Sequence, residues 1–190
     1  MLHYEICGSG TENLVLLHGF LENSNMWVEM EKHFSQDFKL IKIDLPGHGK
    51  SPKIAEVQTM DLMAEKVNET LEQLNITHFH LLGHSMGGYV ALAYTDLFAE
   101  KVKSLTLFFS TFFADSEEKK EQRRKSYRII EEAFAHYVRA GIPNYFNSYE
   151  WDSLEGKINH AKTIALETDP LGALACAKGM VARVDKTIVL

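Results

Sequence analysis

The sequence predicts an α/β fold: a mostly parallel sheet with helices on both faces, followed by a helical lid. Three observations predict it. Up to Phe109, short apolar runs alternate with helix-like segments, the pattern of consecutive strand–helix units. A serine flanked by glycines sits where one such strand should pass into a helix. After Phe113 strand-like runs cease and only helical patterns follow. The division expected is a core over 1–115, then a lid and the start of a return to the core over 116–190.

The strands expected are Leu2–Cys7, Asn13–Leu17, Lys39–Asp44, His78–Leu82 and Ser104–Phe109. Gly8-Ser9-Gly10 separates the first two, which suggests an antiparallel pair around a tight turn. Thr59 is placed to cap a helix in which Met60, Met63, Val67, Leu71 and Leu74 share one face. Gly87 to Ala99 is apolar nearly all round, as a helix buried against a sheet would be. From Ser116 a charged run (Glu117-Glu118-Lys119-Lys120-Glu121) leads into a stripe of Ile129, Ile130, Phe134, Tyr137 and Val138, which Gly141-Ile142-Pro143 ends. Helical stretches around Trp151–Glu167 and Pro170–Arg183 complete the pattern.

A chain of 190 residues, 45% hydrophobic and 24% charged, suits one globular core. Its net charge of −6 provides no basic field for phosphates, which argues against a nucleic-acid partner. The two cysteines, Cys7 and Cys176, lack metal or redox spacing and read as reduced thiols. The start, Met1 to Glu5, does not read as a signal peptide, and the apolar stretch Leu105–Ala114 is too short to span a membrane. A cytoplasmic protein without membrane attachment is therefore expected.

Chemistry concentrates in Gly83-His84-Ser85-Met86-Gly87-Gly88, after the apolar run Phe79-His80-Leu81-Leu82. A strand-to-helix turn this sharp forces strained angles on the serine and lifts its hydroxyl clear of the backbone. Gly83 and Gly87 supply the space. By composition alone such a motif arises in about one chain in fifteen of this length, so the strand before and the helix after carry much of the weight. A second motif, Leu16-Leu17-His18-Gly19-Phe20, follows another strand. Acyl transfer needs two preorganised N–H donors for its oxyanion, and Phe20 and Met86 are placed to supply them. A third, Asp44 to Ser51, reads as a rigid structural loop at the C-terminal edge of the sheet.

These motifs, with Tyr89-Val90-Ala91-Leu92, resemble the α/β-hydrolase superfamily near its small serine esterases, cofactor-free haloperoxidase-like enzymes and C–C hydrolases. The resemblance implies Ser85 as nucleophile, Phe20 and Met86 N–H groups as oxyanion hole, and His18, Gly19, Gly83, His84, Gly87 and Gly88 as motif support. It implies no metal or organic cofactor, and no metal-ligand cluster of histidines is visible. The implied activity is hydrolysis of ester-type carbonyls; Tyr145, Phe146, Tyr149 and Trp151 are candidates either to line a pocket for an apolar acyl group or to pack the lid on the core. C–C hydrolysis, lyase action or perhydrolysis on the same scaffold are alternatives.

In that family the order is serine, acid, histidine. After Ser85 the histidines are His136 and His160, both in helical stretches. Of Asp96, Asp115, Asp152, Asp169 and Asp185, Asp115 alone stands near a strand end. The acid and base are expected beyond Leu190, on two core strands absent from this chain. A chain without them should turn over esters very poorly, or serve as a binding scaffold. The strand at 104–109 would then be an open apolar edge, through which the chain is expected to self-associate unless the lid rearranges to cover it.

Overall fold

The computed structural model describes residues 1–189; Leu190, the last residue of the expected lid segment, lies outside them. The strands β1 (Tyr4–Cys7), β2 (Glu12–Leu17), β3 (Phe38–Ile43), β4 (Phe79–His84) and β5 (Val102–Phe108) form one sheet in the order β1-β3-β2-β4-β5. All neighbours are parallel except β1 and β3. Helices α1 (Val28–Phe34), α2 (Met60–Gln73) and α3 (Met86–Leu97) connect the strands. Beyond Ser116 come α4 (Glu117–Glu132), α5 (Phe134–Gly141), α6 (Trp151–Leu166) and α7 (Pro170–Ala182), without a further strand among the described residues.

The period-two alternation of the strands sorts their side chains between two layers. Val15, Leu17, Ile41, Ile43 and Leu81 face the layer that holds Met63, Val67 and Leu71 of α2 and Val90 and Tyr94 of α3. Leu14, Leu16, Leu40 and Leu82 face the other, where Trp27 and α1 pack. β2 is buried from Leu14 to Leu17 because it has neighbours on both edges and layers on both faces. Thr59 caps α2 as expected, its side chain accepting the Leu62 N–H at 3.2 Å.

The expected hairpin of the first two strands does not form. β1 pairs instead with β3, Tyr4 opposite Ile43, and β3 lies between β1 and β2. The Gly8–Gly10 segment crosses the start of β3 rather than turning back on itself. A Cβ on Gly8 would lie 2.2 Å from the Phe38 carbonyl oxygen, and one on Gly10 2.0 Å from that of Asp37. The glycines serve a close backbone crossing, which has the same composition as a tight turn.

Past Ser116 the expected continuous stripe is split by a bend at Ala133 (φ −145°, ψ 46°). Ile130 and Val138 are buried, whereas Ile129 is exposed. Helix α7 is buried from Gly172 to Ala177, against the 44–58 loop. Gly172 lies on Gly47, where a Cβ would meet its carbonyl oxygen at 2.5 Å. Among the described residues β5 has a strand neighbour on one side alone, and Phe108 and Phe109 are exposed at its end.

Candidate active site

From β2 the chain moves to β3 on one side of the sheet, and from β4 to β5 on the other. The C-terminal ends of β2 and β4, in register at Leu17 and Gly83, therefore flank a topological switch point. Open parallel sheets leave a crevice for ligands at such a point. The two motifs singled out in the sequence, His18-Gly19-Phe20 and Gly83 to Gly88, lie at these two strand ends.

Ser85 stands between β4 and α3 at φ 50°, ψ −113°, a conformation costly to any residue with a side chain. Its N–H donates to the Phe108 carbonyl at 3.0 Å, and its carbonyl accepts from the Ser110 hydroxyl at 2.8 Å and the Gly88 N–H at 3.0 Å. These bonds hold the turn from both sides. A Cβ on Gly83 would lie 2.3 Å from the Gly87 carbonyl oxygen, and one on Gly87 2.2 Å from that of Leu17 and 2.5 Å from that of His18. The first turn of α3 is thus pressed against the loop that carries Phe20. Among the described residues, the N–H groups of Phe20 and Met86 donate to no backbone acceptor outside regular helices and strands and to no side chain. The positive end of α3 opens beside Ser85.

The predicted support residues take up distinct tasks. His18 is fully buried; its Nδ1–H donates to the Gly19 carbonyl at 2.7 Å and its Nε2 accepts the Leu45 N–H at 2.9 Å, the tautomer these partners require. His48, also fully buried, accepts the Leu21 N–H at 3.1 Å. Burial, followed by the nearby His18, pushes its pKa down to about 3, so this ring stays neutral. Burial lowers His18 likewise. The two imidazoles tie the Phe20 loop to the 44–51 loop. Asp44 anchors the latter, accepting the Ser24 N–H at 2.7 Å and the Lys50 N–H at 2.9 Å. Burial would raise its carboxyl, but those bonds outweigh it and hold the group below its ordinary range.

The His84 ring turns to Glu22, its Nδ1 2.9 Å from Oε2. Glu22 was not singled out in the sequence, where nothing in Leu21-Glu22-Asn23 marks it. Leu21, at φ 62°, is the other residue the sequence does not announce. Among the described residues no histidine hydrogen-bonds the Ser85 hydroxyl. His136 and His160 are exposed, on α5 and α6. Asp115, of the candidate acids after Ser85 the one expected near a strand end, is taken up by Arg123 and Arg183, each at 2.7 Å.

Beside the Phe20 loop a cleft of about 830 Å³ opens toward the helical segment, lined by Phe20, Glu22, Tyr145, Phe146, His160 and Ile164 among others. Two of the four aromatic side chains expected to form a pocket, Tyr145 and Phe146, reach it. Tyr149 does not, being 97% exposed, nor does Trp151. Among the described residues no cluster of three or more histidine, cysteine or acidic side chains is arranged to hold a metal ion, and no helix is long and apolar enough to cross a membrane.

The structure is similar over its full length to an esterase from Thermogutta terrifontis, with a TM-score of 0.92, 31% identity and 70% of that chain covered. A 2-hydroxy-6-oxononadienedioate/2-hydroxy-6-oxononatrienedioate hydrolase of Escherichia coli is 35% identical over 111 residues, 56% of this chain and 38% of its own. The dihydrolipoyllysine-residue acetyltransferase component of the acetoin cleaving system of Pseudomonas putida is 39% identical over 107 residues, 56% of this chain and 29% of its own. The chain thus spans between about a quarter and two fifths of the length of these two relatives. Residues 12–135, which hold β2 to β5 and both motifs, match the alpha/beta hydrolase fold family. With that match, the sheet order and the strained Ser85 between β4 and α3, the chain belongs to the alpha/beta hydrolase fold family.

Proposed function

We propose that Ser85 is the nucleophile of a hydrolase that opens ester-type carbonyl substrates through an acyl-enzyme. The observation that carries this reading is the φ of 50° at Ser85, with the Phe20 and Met86 amides free of acceptors among the described residues. Strain of that kind persists where the surroundings over-determine it, and here it presents a hydroxyl at the mouth of a helix. Ser85 Oγ attacks the carbonyl carbon, and the carbonyl oxygen becomes an oxyanion held by the Phe20 and Met86 N–H groups. Collapse expels the alcohol and leaves an acyl-serine, which water then hydrolyses.

The hydroxyl proton needs an acceptor. The histidines near Ser85 are otherwise engaged: His18 and His48 brace loops, and His84 is bonded to Glu22. The reading therefore assigns neither the base nor the acid that orients it to a described residue. The helical segment is read as a lid, and the cleft beside Phe20 as the seat of an apolar acyl group, on the strength of Tyr145, Phe146 and Ile164. A second reading, hydrolysis of a C–C bond next to a carbonyl, draws on the similarity to the Escherichia coli hydrolase. It uses the same serine and the same oxyanion donors.

A fluorophosphonate probe tests the nucleophile. Slow, stoichiometric labelling of wild type, mapped to Ser85 and lost in Ser85→Ala, is expected. Turnover of p-nitrophenyl esters by this chain should be several powers of ten below that of a complete triad. Labelling that maps elsewhere, or survives Ser85→Ala, rules the nucleophile out.

A further inference from the structure

Glu22 and His84 take no part in the bond-making proposed above, although Glu22 also lines the cleft beside Phe20, and together they join the two halves of the site. The Gly19 N–H donates to Glu22 Oε2 at 2.6 Å, a short, charge-assisted bond. The same oxygen lies 2.9 Å from His84 Nδ1. His84 ends β4, one residue before Ser85, and Gly19 precedes Phe20. One carboxylate oxygen therefore bridges the loop of one amide donor and the strand that carries the serine. A Cβ at position 19 would lie 2.6 Å from that oxygen and 2.8 Å from His84 Nδ1, so a glycine is what admits the carboxylate.

Phe20 is held from its other side as well. Leu21, at φ 62°, gives its N–H to His48 Nε2 at 3.1 Å. With Gly19 and Leu21 both fixed, the peptide that ends in the Phe20 N–H has little freedom left. Glu22 and His84 are 29% and 19% exposed, and the Phe108 and Phe109 rings flank the imidazole with centroids at 5.6 and 6.4 Å. The bridge is thus partly shielded from water, which strengthens it.

We propose that Glu22 and His84 are positioning residues, which orient the Phe20 N–H toward the oxyanion that forms at Ser85. This rests on the serine-nucleophile reading for its consequence in rate, and on the bridge alone for its consequence in structure. Amide NMR of the ¹⁵N-labelled protein reads the second. The Gly19 resonance should lie far downfield in wild type, and Glu22→Ala should move both the Gly19 and Phe20 resonances while those of α3 stay in place. Glu22→Gln, which keeps an acceptor oxygen, should restore most of both shifts. Fluorophosphonate labelling of Ser85 reads the first. Glu22→Ala should slow it about tenfold, as expected of a donor displaced rather than removed, with Glu22→Gln recovering most of the rate. His84→Ala should behave similarly, and the double variant should lose little more than either alone.

A Phe20 resonance unmoved by both Glu22→Ala and His84→Ala overturns the assignment whatever Ser85 does. A thousandfold loss in His84→Ala with Glu22→Ala near wild type overturns it too, since His84 would then act directly on the serine. If the resonances move as stated but wild type is never labelled, the bridge holds the loop and it is the nucleophile reading that fails.

Discussion

Asp115→Ala should cost about 3 kcal/mol of stability, because it strips one buried and one partly buried guanidinium group of their counter-charge. The Asp115 carboxylate bonds Arg123 Nε through one oxygen and Arg183 Nη2 through the other, both at 2.7 Å. Asp115 and Arg183 side chains are 7% and 5% exposed, and that of Arg123 is 19% exposed. Breaking a buried pair by removing one partner typically costs about 3–5 kcal/mol. The lower end applies here. Arg123 retains some water, and Arg183 keeps the Phe113 carbonyl and the Tyr89 face, 3.8 Å from its guanidinium carbon. Asp115→Asn, which keeps an acceptor but no charge, should lose about half as much. Burial pushes the Asp115 carboxyl up, but the two arginines outweigh it and hold it below its ordinary 3.8. A carboxyl depressed by folding contributes above its unfolded pKa and loses that contribution as the pH falls through the folded value. The gap between wild type and Asp115→Ala should therefore be full at pH 7 and close in strong acid. Urea unfolding followed by circular dichroism at several pH values measures it. A loss below about 1 kcal/mol at neutral pH, or a gap that persists in acid, would refute the account of this cluster.

Gly87→Ala should lower stability by about 2 kcal/mol or more and suppress labelling of Ser85 together, since the new methyl meets backbone oxygens 2.2 and 2.5 Å away that cannot rotate aside. Thermal melting and the fluorophosphonate assay on one preparation check this, and a variant equal to wild type in both would contradict the packing of α3 on the Phe20 loop. His48 stays neutral in the fold while its unfolded counterpart takes up a proton below pH 6.5, so stability should fall as the pH drops from there toward 3, by up to about 1.4 kcal/mol per pH unit for this one ring. Urea midpoints at pH 7, 6 and 5 test that, and a flat profile would mean that the imidazole is not buried as described. The open edge of β5 should pair with a second chain, giving concentration-dependent dimers in sedimentation velocity that Thr106→Lys disperses. A wild type that is monomeric at every concentration refutes it.

Where local chemistry and fold agreed, the sequence was a sufficient guide. Thr59 announces the start of α2 because its hydroxyl satisfies a helix-end N–H whatever surrounds it. The alternation of short apolar runs with helical segments from β2 to β4 announces a sheet covered on both faces. The β1 pairing was not legible, because Gly8-Ser9-Gly10 permits a tight turn and a close crossing equally. What decides is that β2 is buried from Leu14 to Leu17 and needs neighbours on both edges, a property of the assembled sheet. The break at Ala133 was illegible for a similar reason. Glu131-Glu132-Ala133-Phe134 has no helix breaker, and the bend is imposed by packing that buries Ile130 and Val138 at the expense of Ile129.

The site divides along the same line. Ser85, Gly83 and Gly87 were legible because a strained turn excludes nearly every other residue, so composition reports geometry directly. Glu22 was not, although it is bonded to a residue that the sequence did single out. Glutamate is acceptable almost anywhere on a surface loop, so its identity at position 22 carries no local signal. Its meaning arises from strand order, since β2 and β4 are neighbours in the sheet with β3 between them in the chain. Once Leu17 and Gly83 are known to be in register, the residues that follow each strand must lie side by side. His84 then has the Gly19–Glu22 loop as its natural neighbour. The glycine at 19 is room for that carboxylate. Strand order is therefore the one added fact that turns an unmarked glutamate into a candidate functional residue.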